Sequence, residues 1–113
     1  MCIRDRNNNK PNQAKTIFRE IIQRWPKSPG ITDEAYFRIG EMYYNNQKYN
    51  SAIQEFIRVI DNFKNGNFAD NAYYRVGMCS LKLNAFEDAK VFFSALIDTY
   101  PKSPLIEYAR KKL

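Results

Sequence analysis

Apolar side chains between residues 34 and 63 recur at helical spacing in two separate runs. Tyr36, Ile39, Gly40 and Tyr43 stand at i, i+3, i+4 and i+7, which puts them on one face of a helix. Ala52, Phe56, Val59, Ile60 and Phe63 share a face of a second helix in the same way. The link between them, "NNQKYN" (45–50), is short and polar, as suits an antiparallel helix pair. No segment alternates with period two over a useful length, so no sheet is expected.

The whole pattern returns 37 residues later. "AYFRIG" (35–40) falls on "AYYRVG" (72–77), Tyr49 on Phe86, Ala52 on Ala89, Phe56 on Phe93 and Ile60 on Ile97. A shift of 38 brings out a first half-copy, with Ala14 on Ala52, Phe18 on Phe56, Ile22 on Ile60 and Trp25 on Phe63. Self-similarity at such a period is the signature of stacked repeats. The expected fold is therefore all-α, a solenoid of antiparallel helix pairs, with two full repeats flanked by two half repeats. It occupies residues 11–113.

The units are separated by "WPKSP" (25–29), "FKNGN" (63–67) and "YPKSP" (100–104). The aromatic is expected to anchor the last turn of one helix, and the following Pro cannot continue it. Ser28 and Ser103 are expected to cap the next helix, with Pro29 and Pro104 in its first turn. Gly66 replaces the prolines as breaker in the middle junction. Gly40 and Gly77 each cost about 1 kcal/mol relative to Ala inside a helix. That cost makes sense where a neighbouring helix comes close, and Ala52 and Ala89 are expected opposite them.

Composition narrows the picture. At 113 residues and 44% apolar content the chain has the size of one domain with a small core. "VFFSALI" (91–97) is too short to span a bilayer. Cys2 and Cys79 form neither a disulfide framework nor a paired metal motif. The net charge of +6 is spread among acidic residues except at "ARKKL", which reads as a solvated surface. A nucleic-acid-binding module, the rival reading from another class, would cluster its cations on one face.

No chemistry of catalysis is visible. The chain has no His, the commonest general base and metal ligand. Cys79 lies mid-helix with no base to activate it, and reads as a small core residue. Asp33–Glu34 and Glu87–Asp88 stand at helix starts, where acidic side chains offset the helix dipole. No enzyme activity, cofactor or metal is expected.

The aromatic at Tyr36 and Tyr73, the Ile39-Gly40 and Val76-Gly77 pairs, Ala52 and Ala89, Phe56 and Phe93, and Pro26 and Pro101 resemble the tetratricopeptide repeat. That family's unit is about 34 residues, and here the extra residues fall between units. The longer spacing, the "YPKSP" junctions and the terminal "SPLIEYARKKL" are similar to the C-terminal domain of periplasmic Tol-Pal system proteins of the YbgF/CpoB type. Outer-membrane assembly lipoproteins of the BamD type are the alternative, and a generic tetratricopeptide adaptor a further one. The resemblance implies a non-enzymatic scaffold binding protein or peptide partners. It further implies a periplasmic location, a role in envelope constriction at division, and oligomerisation through an upstream coiled coil. "MCIRDR" continues no periodicity and looks like translated sequencing-adapter sequence, so residues 1–10 are expected to be a disordered, non-native leader.

In stacked helix pairs the first helices line a concave groove. Helix 34–46 would present Phe37, Arg38, Glu41, Tyr44 and Asn45 there. Helix 71–83 would present Tyr74, Arg75, Met78, Leu81 and Lys82. An aromatic groove with two arginines suits a peptide or helix of another protein. The same aromatics could instead pack first helix against first helix. Phe37 and Glu41 occupy the main positions of the family's carboxylate-binding clamp, which disfavours that mode.

Overall fold

The computed structural model describes residues 2–113, with side chains from Gln13 onward. Six helices follow one another: α1 (Cys2–Arg24), α2 (Thr32–Asn45), α3 (Tyr49–Asn62), α4 (Ala69–Lys82), α5 (Phe86–Thr99) and α6 (Ile106–Lys112). The described residues contain no strand. Each helix packs on the next in chain order, and the pairs α2–α3 and α4–α5 are the two full units. The backbone of residues 2–10, expected to be a disordered leader, instead forms the first turns of α1, and their side chains lie outside those described.

The stack is elongated, 46 × 31 × 20 Å, with a radius of gyration of 14.9 Å. A compact globule of this length would measure about 13 Å. A solenoid has no single centre, and two clusters divide the core. Phe37, Ala52, Phe56, Val59, Ile60, Ala72, Val76 and Cys79 join α2, α3 and α4. Ala89, Phe93, Leu96 and Ala109 join α5 and α6, with Tyr74, Met78 and Leu81 of α4 packed against them.

The glycines do mark close approach, and the atoms nearest them belong to a phenylalanine of the second helix. A Cβ on Gly40 would lie 2.7 Å from the Phe56 ring, and one on Gly77 would lie 2.6 Å from Phe93. The phenylalanine, one turn beyond Ala52 or Ala89, lays its ring across the glycine. Both rings are fully buried.

Both turns inside the repeats end their first helix alike. Gln47 (φ 64) and Asn84 (φ 61) adopt the left-handed conformation. The amide of Lys48 donates to Tyr43 O at 2.9 Å and that of Gln47 to Tyr44 O at 2.9 Å. Ala85 to Ser80 O and Asn84 to Leu81 O repeat the arrangement. It satisfies carbonyls that the helix end would otherwise strand.

The junctions differ from expectation. Neither α2 nor α6 has a side-chain N-cap hydrogen bond, and Pro29 and Pro104 lie in turns before the helices. At the first junction a threonine does the work: Ser28 N donates to Thr32 Oγ1 at 2.9 Å, and the buried Thr32 hydroxyl donates to Trp25 O. Ser103 instead accepts from Leu105 N at 3.1 Å and donates to Asp70 Oδ2 at 2.7 Å. Tyr100 anchors as expected, its hydroxyl donating to Lys64 O at 2.6 Å. Trp25 is 45% exposed, with Arg24 over its ring.

Candidate protein-binding face

The ten expected groove residues are five positions in each of two successive first helices: 37/74, 38/75, 41/78, 44/81 and 45/82. The structure treats these five positions differently.

Positions 37 and 74 belong to packing. Phe37 is buried, with its ring 5.3 Å from Phe56 and 5.4 Å from Phe68. Tyr74 repeats the first contact, 5.6 Å from Phe93, and meets Tyr108 of α6 edge-on at 6.5 Å. Phe37 therefore leaves the candidate face, while half-buried Tyr74 keeps one edge on it. Met78 and Leu81 are half-buried against the second core cluster.

Positions 38, 41 and 75 form a row of charge across two helices. Glu41 accepts from Arg38 Nη1 through Oε1 at 2.8 Å, and from Arg75 Nη2 of α4 through Oε2 at 3.2 Å. Arg38 also reaches back to Glu34 at 3.4 Å. Hydrogen bonding to Glu41, opposed by burial, raises the Arg38 pKa above its ordinary value. The Arg75 guanidinium lies 5.2 Å above the Tyr44 ring, and Tyr44 meets Tyr49 edge-on at 5.4 Å. Burial raises the Tyr44 phenol pKa, so it stays a neutral donor. Asn45 and Lys82 are exposed at the far end of each helix.

The surface is thus more polar than the sequence suggested. The aromatics form a half-buried floor, and the Arg38–Glu41–Arg75 row runs across it. Helical spacing could not reveal this, because it assigns a face without saying how deep each ring sinks. The sequence reading also missed Glu34 and Tyr108. Carrying the 37-residue register one repeat further would have found the latter, since Tyr108 follows Glu34 and Asn71.

A second ionic contact was not foreseen. Arg19 of α1 grips the buried Glu55 of α3 with both guanidinium nitrogens, at 3.1 and 2.9 Å. That hydrogen bonding, offset by burial, raises the Arg19 pKa. Cys79 is fully buried, and burial pushes its thiol up to about 12. A buried thiol that holds its proton this way has the character of a core residue rather than of a reactive cysteine. The described residues hold no cluster of three His, Cys, Asp or Glu side chains arranged for a metal.

The tetratricopeptide repeat family model matches residues 3–28, 34–66 and 71–103, most of the chain. The chain belongs to the tetratricopeptide repeat family. Among curated proteins it is 26% identical over 124 residues to "Outer membrane protein assembly factor BamD" of Rickettsia prowazekii, covering 96% of this chain and 49% of that protein. It is also 36% identical over 72 residues to "Type II methyltransferase M.CeqI" of Rhodococcus hoagii, covering 60% of this chain but 14% of the enzyme. The chain thus spans about half the length of the first relative and a small part of the second. Tetratricopeptide repeats are protein-interaction modules, and this stack of paired helices has that architecture. No helix among the described residues is long and apolar enough to cross a membrane.

Proposed function

We propose that this tetratricopeptide repeat domain is a non-enzymatic scaffold of the bacterial cell envelope. It holds a segment of a partner protein across the first helices α2 and α4. The observation that carries this reading is the Arg38–Glu41–Arg75 row over Tyr44. It is a part-exposed polar surface across the first helices, with side chains already oriented by one another. A surface held in this way loses little side-chain freedom when a partner docks.

Two envelope roles are compatible with the sequence. Likeness to an outer-membrane assembly factor over nearly the whole chain supports a role in outer-membrane protein assembly. The junction motifs support the Tol-Pal reading, a periplasmic coordinator of constriction. Assembly is the better supported of the two. The partial match to a methyltransferase covers too little of that enzyme to bring its chemistry here.

The test is capture from a Gram-negative envelope extract with a photo-crosslinker at position 45, then identification of the linked proteins. Assembly-machinery components should dominate, and Arg38→Ala with Tyr44→Ala should abolish their capture. Tol-Pal components in their place would favour the constriction role. Equal capture by the doubly substituted chain would remove the groove from consideration.

A further inference from the structure

The first helices share one register, fixed by three buried alanines: Ala35 in α2, Ala72 in α4 and Ala109 in α6. Three residues after each comes a cation, Arg38, Arg75 and Lys112. The acidic residues that answer this row are confined to α2. Glu34 and Glu41 pair with Arg38, and Glu41 also takes one edge of Arg75. The positions equivalent to Glu34 are Asn71 and Tyr108, and the position equivalent to Glu41 in α4 is Met78.

Cations accumulate where the acids stop. Lys82 takes the place of Asn45 and is exposed, and Lys112 is exposed at the end of α6. Neither forms an ion pair among the described residues. Arg75 has one edge on Glu41 and its face over Tyr44, and its other donors bond no other described residue. Glu107, the acidic residue of α6, is itself answered by Arg110 at 3.4 Å. On the same two helices stand the part-buried Tyr74 and Met78 and the 55%-exposed Tyr108, which meets Tyr74 edge-on at 6.5 Å and carries Lys111 Nζ 6.0 Å from its ring centre. The groove is therefore charge-balanced on α2 and becomes cationic with an aromatic floor on α4 and α6.

We propose that the α4–α6 half of the groove selects an acidic segment of a partner protein, with side-chain carboxylates on Arg75, Lys82 and Lys112 and an aromatic or apolar residue on Tyr74, Met78 and Tyr108. This rests on the scaffold reading above and adds the chemistry of the partner. Charge complementarity is the argument: the unpaired Lys82 and Lys112 and the remaining edge of Arg75, over an apolar floor, favour carboxylates interleaved with apolar side chains. A guanidinium with one edge free can take a carboxylate through its remaining donors.

Peptide binding by fluorescence anisotropy tests it on the full chain. The probe is a labelled peptide of alternating Glu and Phe, amidated so that no terminal carboxylate takes part. Peptides with Gln or Lys in place of Glu, and a single-stranded oligonucleotide, serve as comparisons. The Glu peptide should bind, the Gln peptide about tenfold more weakly, and the Lys peptide not at all. Lys82→Gln and Lys112→Gln, both on exposed residues, should each weaken the Glu peptide about three- to tenfold, with Arg75→Gln costing more. Binding should also fall with added salt as screening shortens. Lys27→Gln and Lys64→Gln remove the same charge from the junctions and should change nothing. Equal loss with the junction variants would make the effect one of net charge and overturn the proposal. So would no binding by the Glu peptide, or tighter binding of the oligonucleotide through the same lysines. Binding of the Gln peptide as tight as the Glu peptide, lost in Tyr44→Ala, would keep the groove and reject the acidic preference.

Discussion

Gly40 and Gly77 are set by a ring rather than by their own backbone. An added methyl at either would stand under 3 Å from a fully buried phenylalanine. Ala would gain about 1 kcal/mol of helix propensity, but the fully buried ring would have to shift to admit it. Gly40→Ala and Gly77→Ala should each lower stability by about 1–3 kcal/mol in urea unfolding. A neutral or stabilising result at both would mean that the rings yield. A second residue-scale feature comes from comparing junctions. Ser103 hydrogen-bonds Asp70, and 37 positions earlier the same places hold Gly66 and Asp33. Asp33 is buried; its Oδ1 accepts from the amides of Gly30 and Glu34, while Oδ2 has no partner. The missing donor is the hydroxyl that Gly66 lacks. A Cβ there would sit 2.6 Å from Asp33 Oδ2, so both Ala and Ser require the carboxylate to shift. Only Ser supplies a donor once it has. Gly66→Ser should therefore be more stable than Gly66→Ala by about 1–2 kcal/mol. Equal melting curves for the two variants would show that no such bond forms.

At the scale of elements, the helix ends carry the repeat more faithfully than the junctions do. Gln47 and Asn84 both hold the left-handed conformation that closes a first helix. Asn tolerates it, whereas Gln pays for its Cβ. Gln47→Gly should raise stability by about 0.5–1 kcal/mol, read as an upward shift in the urea midpoint, and Asn84→Gly should gain less. A loss at Gln47 would place that side chain in a contact outside the turn. The junctions vary because their work can be done by different groups. Thr32 serves at the first and Ser103 at the last, each from a different position in the turn.

For the whole molecule, a stack without a central core depends on contacts that cross between units. Arg19 to Glu55 ties α1 to α3, and Tyr100 to Lys64 O ties one junction to the next. The core also gives the stack an alkaline edge. Burial raises the Cys79 thiol from its ordinary 9.0 to about 12. The folded state thus holds the proton that the unfolded chain releases first. The stability this contributes is complete below about pH 9, and is lost as pH rises towards the folded value. Burial raises the Tyr44 and Tyr100 phenols in the same direction. Urea midpoints should fall as pH rises from about 9 towards about 12, and Cys79→Ala should flatten the early part of that fall. An unchanged slope in the variant would assign the alkaline loss to the tyrosines alone.

The sequence by itself determined the helix pairs, their order and their register. Periodicity is a local property, and a 37-residue echo names the equivalent residues without coordinates. It also marked Gly40 and Gly77 as sites of close approach, since a helix carries such a cost only for a packing reason. Tertiary structure decided depth. The same face holds Phe37, sunk between Phe56 and Phe68, and Arg38, part-exposed beside it, and spacing cannot separate them. Structure also decided pairing between units. Glu41 meets Arg75, Arg19 meets Glu55 and Ser103 meets Asp70 only because adjacent repeats are rotated into contact. That rotation is set by how the buried rings pack, which no stretch of sequence within one repeat encodes.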